Sequence, residues 1–255
     1  MCEDCGCGII DPEHGHSPQH RHGHSHGPGT EPDHSHEHDH DHRAIEVKQS
    51  LLSRNERLAE QNRGMFRAHK LIALNLMSSP GSGKTTLLEK TISQMDSDRK
   101  AAVIVGDLAT ENDAQRLQAT GARAIQITTG TACHLDAHMV QHAMEKLDLA
   151  GLDLLFIENV GNLVCPASFD LGEQKRIVIL SVTEGEDKPL KYPVIFHNAD
   201  LVLLTKIDIA EAVEFDCERA RAAIHQVAPH AQILELSAKT GAGMKEWLAW
   251  LQDVR

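Results

Sequence analysis

The chain has 255 residues and a formal net charge of −12 at pH 7, with 25 Lys and Arg against 37 Asp and Glu. This acidic balance argues against nucleic acid as a partner, and no apolar run reaches the roughly 20 residues that a membrane helix needs. The chain also begins without a cationic segment followed by an apolar one, so a secretory signal is not expected and the protein is predicted to be cytoplasmic.

Residues 1 to 43 differ in composition from the rest, because nine acids stand there against two arginines and give −7 of the total charge. With little to bury, residues 8 to 43 are predicted to be disordered. Histidines scattered among Gly, Ser and acids are unlike a purification tag and favour metal binding, with a solvated linker as the alternative. The histidines concerned are His14, His16, His20, His22, His24, His26, His34, His36, His38, His40 and His42.

The extreme N-terminus, "MCEDCGCG", places Cys2, Cys5 and Cys7 within six residues. Three thiols are too few for a Cys₄ zinc site. A terminal amine could complete a nitrogen and sulfur ligand set, which suits Ni(II). In a reducing compartment such thiols are expected to be ligands rather than disulfides; the alternative is a flexible end with incidental cysteines.

Residues 44 to 255 are predicted to form one domain, led by a helix over residues 44 to 63 with Val47, Leu51 and Leu58 on its docked face. Short apolar runs then alternate with helical stretches. The runs are "LIALNLM", "AAVIVGD", "AIQITT", "LDLLFIEN", "RIVILSVT", "DLVLLTK" and "QILELSA". Runs that are apolar on both faces predict a doubly wound, mostly parallel α/β sheet flanked by helices, with sites at the carboxyl ends of the strands.

The first of these runs leads into "SSPGSGKTTLLEK", which is typical of a P-loop opening into a helix. Backbone amides of such a loop close around phosphates, Lys84 reaches the β and γ oxygens, and Thr85 holds Mg²⁺. Ser78 stands where the strict pattern has glycine. The expected phosphate-binding residues are Gly81, Ser82, Gly83, Lys84, Thr85 and Thr86.

Two further strands end in carboxylates, Asp107 in "VIVGDLATEND" and Glu158 in "LLFIENVGN". Either can hold Mg²⁺ directly or through water, and Gly161 stands where a γ-phosphate amide would lie. Each acid taken alone is more often a helix cap or a surface charge. Their position after predicted strands favours a catalytic role beside Lys84 and Thr85.

The elements "LLTKID" and "LSAKTG" predict guanine as the base. Asp208 can accept from guanine N1–H and the 2-amino group, for which adenine has no matching donors, and Lys206 can cover the base plane. Ser237, Ala238 and Lys239 can offer a backbone N–H to the guanine oxygen. Thr205 stands where Asn is usual.

Thiols and imidazoles mark a second candidate site in the domain. "TGTACHLDAHMVQHAM" presents Cys133 and His134 before a helix, and "GNLVCPASF" presents Cys165 after the Glu158 segment. If both loops lie at the carboxyl edge of the sheet, one metal can contact the element that senses the γ-phosphate. His138 and His142 follow at helical spacing, where a solvated face is favoured over a metal stripe, and Cys217 is interpreted as helix packing.

Taken together, these motifs resemble the HypB family, the P-loop GTPases that assist nickel insertion during maturation of nickel–iron hydrogenase. The resemblance rests on "MCEDCGCG", the histidine tract, "SSPGSGKTTL", "GDLATENDAQRL", "TACHLDA", "IENVGNLVCP", "LLTKID" and "LSAKTG", and it covers nearly the whole chain. It implies a GTPase with Mg²⁺, a tight nickel site at the N-terminal cysteines, weak nickel storage by the histidine tract, and a nickel or zinc site similar to Cys133, His134 and Cys165.

The resemblance also implies a nucleotide-dependent homodimer that works with HypA and the hydrogenase large subunit. Because "ENVGN" lacks a glutamine to orient the attacking water, slow intrinsic hydrolysis of GTP to GDP and phosphate is expected. Three alternatives stay open: a urease-type nickel GTPase, a nickel-storage protein with a vestigial GTPase domain, and a kinase that uses the same loop.

Overall fold

The computed structural model describes residues 37 to 107 and 112 to 254, except the side chains before residue 49 and that of Asn112. The N-terminal cysteines and the histidines from His14 to His36 lie outside these residues, so the expectations for them stay predictions. His38, His40 and His42 fall in the first turns of a helix.

Seven parallel strands form one sheet, in the order β3-β2-β4-β1-β5-β6-β7. They are β1 (Ile72–Ser78), β2 (Ala101–Asp107), β3 (Arg123–Thr128), β4 (Leu154–Glu158), β5 (Lys175–Ser181), β6 (Leu201–Thr205) and β7 (Gln232–Leu236). Each coincides with one of the apolar runs, and every pairing is parallel. The predicted α/β fold is therefore confirmed.

The strands are apolar on both faces because helices cover both. The helices are α1 (Glu37–His69), α2 (Lys84–Gln94), α3 (Asn112–Ala119), α4 (Ala137–Met144), α5 (Lys188–Lys191), α6 (Pro193–His197), α7 (Cys217–Val227) and α8 (Met244–Asp253). On β1, Leu74 and Leu76 face a core shared with α2, α3 and α8. Ala73 and Met77 lie on the opposite face of the sheet. Ala73 packs with residues of α1 and α4, and Met77 packs with residues of α6 and α7.

The leading helix α1 is longer than the predicted span of residues 44 to 63, since it runs from Glu37 to His69. From Leu52 onward the chain belongs to one compact unit.

The docked face of α1 differs from the predicted one. Asn55, Ala59, Asn62 and Phe66 are its buried residues, at spacings of four, three and four. The side chain of Val47 lies outside the described part of the chain. Leu51 is 54 % exposed, so its assignment to the docked face is wrong, whereas Leu58 is half-buried. The reason is that two asparagines, invisible to an apolar pattern, dock by hydrogen bonds to backbone groups.

β1 lies between β4 and β5, so the loop that follows it opens at the middle of the carboxyl edge. The ends of β2 and β4 flank that loop on one side and the ends of β6 and β7 lie beyond β5 on the other. In the described part of the chain, no helix combines the length and apolar character that a bilayer crossing requires.

Candidate functional site

The loop between β1 and α2 has the backbone of a phosphate cradle. Gly81 and Gly83 have φ values of 72° and 100°, a region that glycine adopts without the penalty of a Cβ. Gly83 caps α2, whose first residue is Lys84. The positive end of α2 therefore faces the space that this loop encloses.

Lys84 is buried within the loop, and its Nζ donates to Ser78 Oγ at 2.8 Å. Ser82 Oγ donates to the same oxygen at 2.6 Å. Burial lowers the pKa of the Lys84 ammonium, an effect that the charge of Glu158 opposes. Ser78, where glycine would be usual, thus supplies an acceptor that holds the lysine in place, and the motif gave no signal of this contact.

Thr85 and Glu158 meet at the base of the loop, where Thr85 Oγ1 donates to Glu158 Oε1 at 2.8 Å. Glu158 is 4 % exposed, and its second oxygen, Oε2, is buried without a hydrogen bond to the described residues. Burial raises the pKa of this carboxyl to about 7, although Lys84 and Thr85 oppose the shift. A hydroxyl beside a carboxylate oxygen that still needs a partner fits a Mg²⁺ site.

A cavity of about 520 Å³, the phosphate cavity, opens over these groups. Asp107 lines it from the end of β2, and Glu158 and Gly161 line it from the end of β4 and the residues that follow. The two predicted carboxylates, Asp107 and Glu158, therefore face the same cavity. A Cβ on Gly161 would come within 2.8 Å of Pro80 Cα, so only glycine lets this segment approach the loop so closely. Thr86 also lines the cavity.

Arg116 of α3 lines the phosphate cavity as well, together with Asp113. Its guanidinium donates to Glu89 at 2.7 Å, to Asp113 at 3.1 Å and to Thr86 Oγ1 at 3.2 Å. Sequence reasoning missed this cation. The available signal was its place in "GDLATENDAQRL", nine residues after Asp107 in the helix that follows β2.

A second cavity of about 230 Å³, the base cavity, adjoins the first. Among its lining residues are Lys206, Asp208, Ser237, Ala238 and Lys239. All of the residues predicted to contact the base therefore lie around one space.

Thr205 and Lys206 fasten this base cavity to the P-loop. Thr205 Oγ1 donates to the carbonyl of Ser82 at 3.0 Å, so the residue that replaces the usual Asn makes its own supporting hydrogen bond. Lys206 Nζ donates to the carbonyl of Gly81 at 2.7 Å. Two side-chain hydrogen bonds, from the last residue of β6 and from the residue after it, thus connect the base cavity to the P-loop.

Cys133, His134 and Cys165 come together where the loop before α4 meets the segment after β4. Their ligand atoms all lie within 4.8 Å of one another. Cys133 Sγ is 2.8 Å from Cys165 Sγ and 3.9 Å from His134 Nδ1. Within the residues that the structure describes, no other trio of His, Cys, Asp or Glu side chains is gathered so closely. Soft sulfur with imidazole nitrogen is a donor set for nickel or zinc.

The His134 ring lies against Phe169, with ring centroids 3.9 Å apart. Burial lowers the pKa of His134, against the opposing charge of Asp136. The neutral imidazole, which is the metal-binding form, is favoured as a result.

Among the described residues that the sequence singled out, His138, His142 and Cys217 take no part in this trio. His138 and His142 are exposed on α4, and His142 Nδ1 lies 3.0 Å from Glu145, as expected for a solvated face. Cys217 begins α7 and packs partly buried against the core. Burial raises the pKa of its thiol, which fits a packing role.

Comparisons with known proteins agree on one family. The family described as "CobW/HypB/UreG, nucleotide-binding domain" matches residues 72–235. A hydrogenase maturation factor HypB of Azotobacter chroococcum mcd 1 is 55 % identical over 215 residues, which cover 84 % of this chain and 70 % of that protein. The HypB of Escherichia coli (strain K12) is 53 % identical over 213 residues, covering 84 % and 73 %.

Solved structures agree with the sequence relatives. The crystal structure of HypB from Helicobacter pylori in complex with nickel superposes with a TM-score of 0.76 at 42 % identity. The match covers 78 % of this chain and 94 % of that one.

Proposed function

Because this chain belongs to the HypB hydrogenase maturation factors of the CobW/HypB/UreG family, we propose that it is a GTP-hydrolysing nickel metallochaperone. It binds and stores nickel in the cytoplasm and assists its insertion into the large subunit of nickel–iron hydrogenase. The observation that carries this proposal is the short segment of residues 158 to 165, the linking segment. It begins with Glu158 in the phosphate cavity and ends with Cys165 in the Cys133, His134 and Cys165 trio.

The nucleotide is GTP, held with its base in the base cavity and its phosphates over α2. Asp208 accepts from the guanine N1–H and 2-amino group, and the residues Ser237 to Lys239 offer a backbone N–H to the base oxygen. Thr85, Asp107 and Glu158 are the groups that would hold Mg²⁺. That ion supplies charge neutralisation for the β and γ phosphates when it is bound.

Hydrolysis depends on stabilising the charge that develops on the phosphates. Lys84 is the principal cation for this task. Arg116 can add a second positive charge if it exchanges its contacts with Glu89 and Asp113 for the nucleotide. Since "ENVGN" places no glutamine after Glu158, the attacking water lacks a side chain of the usual kind, and intrinsic turnover is slow.

The metal trio takes nickel, and zinc as a competing ion, with Cys133, His134 and Cys165 as ligands. A metal can be passed on only if its affinity differs between the GTP and GDP states. The linking segment gives a physical route for that difference, because Glu158 and Gly161 precede Cys165 by only seven and four residues. A shift of either residue can therefore move Cys165. GTP binding also draws two subunits into a homodimer that rebuilds the trio, and hydrolysis reverses the arrangement.

The N-terminal cysteines Cys2, Cys5 and Cys7 form a tight nickel site, and the histidine tract holds further nickel weakly. HypA and the hydrogenase large subunit are the proposed partners in delivery. The solved HypB from Helicobacter pylori described as a complex with nickel supports the choice of metal. Intact cavities for both phosphate and base argue against a vestigial GTPase domain.

A phosphate-release assay tests the enzymatic half of this proposal. The wild-type chain should release phosphate from GTP and not from ATP, and Lys84→Ala should lower the rate by about a hundredfold or more. Nickel binding by the tail cysteines should stay as in wild type. Lys245→Ala, which removes an exposed lysine of α8, is the control and should hydrolyse GTP normally. Loss of nickel binding together with hydrolysis in Lys84→Ala would contradict separate sites.

A further inference from the structure

The side-chain amide of Asn159 connects the phosphate cavity to the loop that carries two of the metal ligands. Asn159 directly follows Glu158, lines the phosphate cavity and is 1 % exposed. Its Oδ1 accepts from the backbone N–H of Leu135 at 3.1 Å. Leu135 directly follows His134, so this hydrogen bond reaches the neighbour of a metal ligand.

The orientation of this amide is fixed on both sides. Oδ1 also accepts from Val160 N at 3.0 Å, and Nδ2 donates to Asn75 Oδ1 at 3.3 Å. Turning the amide over would point its NH₂ group at two backbone N–H donors and leave Asn75 Oδ1 without this donor. Asn75 is itself held, because its Nδ2 donates to the buried Glu173 at 3.2 Å. Asn159 is therefore a rigid link rather than a mobile side chain.

Leu135 also contacts the other strand end that faces the nucleotide. Its side chain is fully buried, and a Cβ added to Gly106 would fall 2.8 Å from Leu135 Cγ. Gly106 lines the phosphate cavity and precedes Asp107. Leu135 therefore contacts the end of β2 through Gly106 and the residue after β4 through Asn159. Each of these strands ends in a carboxylate of the nucleotide site, Asp107 or Glu158.

A second amide of the linking segment holds the same loop. Asn162 Nδ2 donates to the carbonyl of Cys133 at 3.3 Å, while its Oδ1 accepts from Val164 N at 2.8 Å. The hydrogen bonds of Asn159 and Asn162 thus fasten residues 133 and 135, on either side of His134. Cys165 lies further along the segment that carries both amides.

We propose that Asn159 is a positioning residue that transmits the nucleotide state to the metal trio, with Asn162 as its second contact. When the residues after Glu158 shift on binding the γ-phosphate, the Asn159 amide moves Leu135 with them, and His134 changes its position relative to Cys165. This proposal rests on the proposed nucleotide-gated metal site and assigns the coupling to particular hydrogen bonds.

The test measures nickel affinity in the full chain carrying Cys2→Ser, Cys5→Ser and Cys7→Ser, so that the tail thiols do not compete. Ni²⁺ is titrated against a chromophoric chelator with Mg²⁺ and either GDP or a non-hydrolysable GTP analogue. The ratio of the two affinities should be at least about fivefold in this parent chain. In Asn159→Ala and Asn162→Ala the ratio should fall to about one, measured at nucleotide concentrations that saturate each variant.

Asn55→Ala is the matched control. Asn55 Oδ1 accepts from the backbone N–H of Ala137, the first residue of α4, at 2.8 Å, so it is another buried amide that holds the end of the same loop, but from α1. It does not line the phosphate cavity. Asn55→Ala should loosen the loop and leave the affinity ratio at the parent value.

The outcomes distinguish the role of Asn159 from the nucleotide-gated metal site on which it rests. A folded Asn159→Ala variant that keeps the parent ratio overturns the role of Asn159 and leaves the nucleotide-gated site standing. A ratio of about one in the parent chain overturns both. If Asn159→Ala does not fold, Asn162→Ala decides, since its amide is less buried: a parent-like ratio there overturns the proposal. An equal loss in Asn55→Ala would show a general effect of loosening and would also overturn it.

Discussion

Thr85 donates a 2.8 Å hydrogen bond to Glu158, and Glu158 begins the segment that ends at Cys165. Thr85, in the first turn of α2, and the Cys165 thiol are therefore separated by one side-chain contact and seven residues of chain. Both ends of this segment are held by hydrogen bonds, Glu158 by Thr85 and Cys165 by Cys133. We therefore expect a change at one end to alter the other.

The Glu158 carboxyl should make stability depend on pH. Its pKa of about 7 in the folded protein lies above the ordinary value of 4.5, so the folded state holds this proton more tightly than the unfolded chain does. The stabilisation is present below pH 4.5 and is lost as the pH rises toward 7, by up to about 3 kcal/mol. Urea unfolding without Mg²⁺ or nucleotide should show a shallower fall from pH 5 to 7.5 in Glu158→Gln than in wild type. Parallel curves would refute the raised pKa.

Replacing Asp208 with Asn should change the base that is bound. The amide presents a donor where guanine needs two acceptor contacts, while xanthine carries an oxygen in place of the 2-amino group. Asp208→Asn is therefore expected to weaken GTP binding by about tenfold to a thousandfold, from the loss of one or two charge-assisted hydrogen bonds, and to strengthen XTP binding. Competition with a fluorescent nucleotide measures both. Unchanged preference for GTP would show that the base does not lie in the base cavity.

Removing a thiol of the trio should remove the internal metal alone. Cys165→Ser, in the full chain with the tail cysteines changed to Ser, is expected to lose about one tightly held nickel ion per subunit, since a three-ligand site depends on each ligand. GDP affinity should stay near the parent value. His138→Ala is the control, because His138 is exposed on α4 outside the trio. A normal nickel stoichiometry in Cys165→Ser would place the metal elsewhere.

Deleting residues 14 to 42 tests the storage role of the histidine tract. Many imidazoles hold nickel weakly and lose it as they protonate below about pH 6.5. The deletion should lower the total nickel bound at pH 7.5 and leave the rate of GTP hydrolysis unchanged. Equilibrium dialysis at pH 7.5 and 5.5 gives the comparison. Equal nickel in the full and deleted chains at pH 7.5 would rule out storage by these residues.

The parallel sheet and the two cavities could be predicted because each leaves a local signature in the sequence. Apolar runs of six to eight residues identify the strands, and a loop such as "GSGKTT" must have glycine where φ is positive. The grouping of Cys133, His134 and Cys165 was expected if both loops lie at the carboxyl edge of the sheet, where parallel strands end, and the resemblance to the HypB family implied the same three residues. The strands and the phosphate-binding loop need only short-range patterns.

Contacts between distant polar residues could not be predicted in the same way. The hydrogen bond between Asn159 and Leu135 could not be predicted from the spacing of residues in the sequence. Likewise, α1 docks through Asn55, whereas the apolar pattern predicted Leu51. Arg116 belongs to the phosphate cavity only because α3 folds back beside α2. A single buried amide or arginine has no periodicity, so its partner is known only once the chain is folded.

Sedimentation tests most directly whether the nucleotide controls both subunit association and the trio of Cys133, His134 and Cys165. The metal-free 255-residue chain would be sedimented with GDP or with a non-hydrolysable GTP analogue, each with and without one equivalent of nickel, and its nickel affinity measured in the same buffers. We expect a dimer with the GTP analogue, a monomer with GDP, and a nickel affinity that changes when the dimer forms. A mass and a nickel affinity that are the same with both nucleotides would contradict the account and favour a metal store with an independent GTPase.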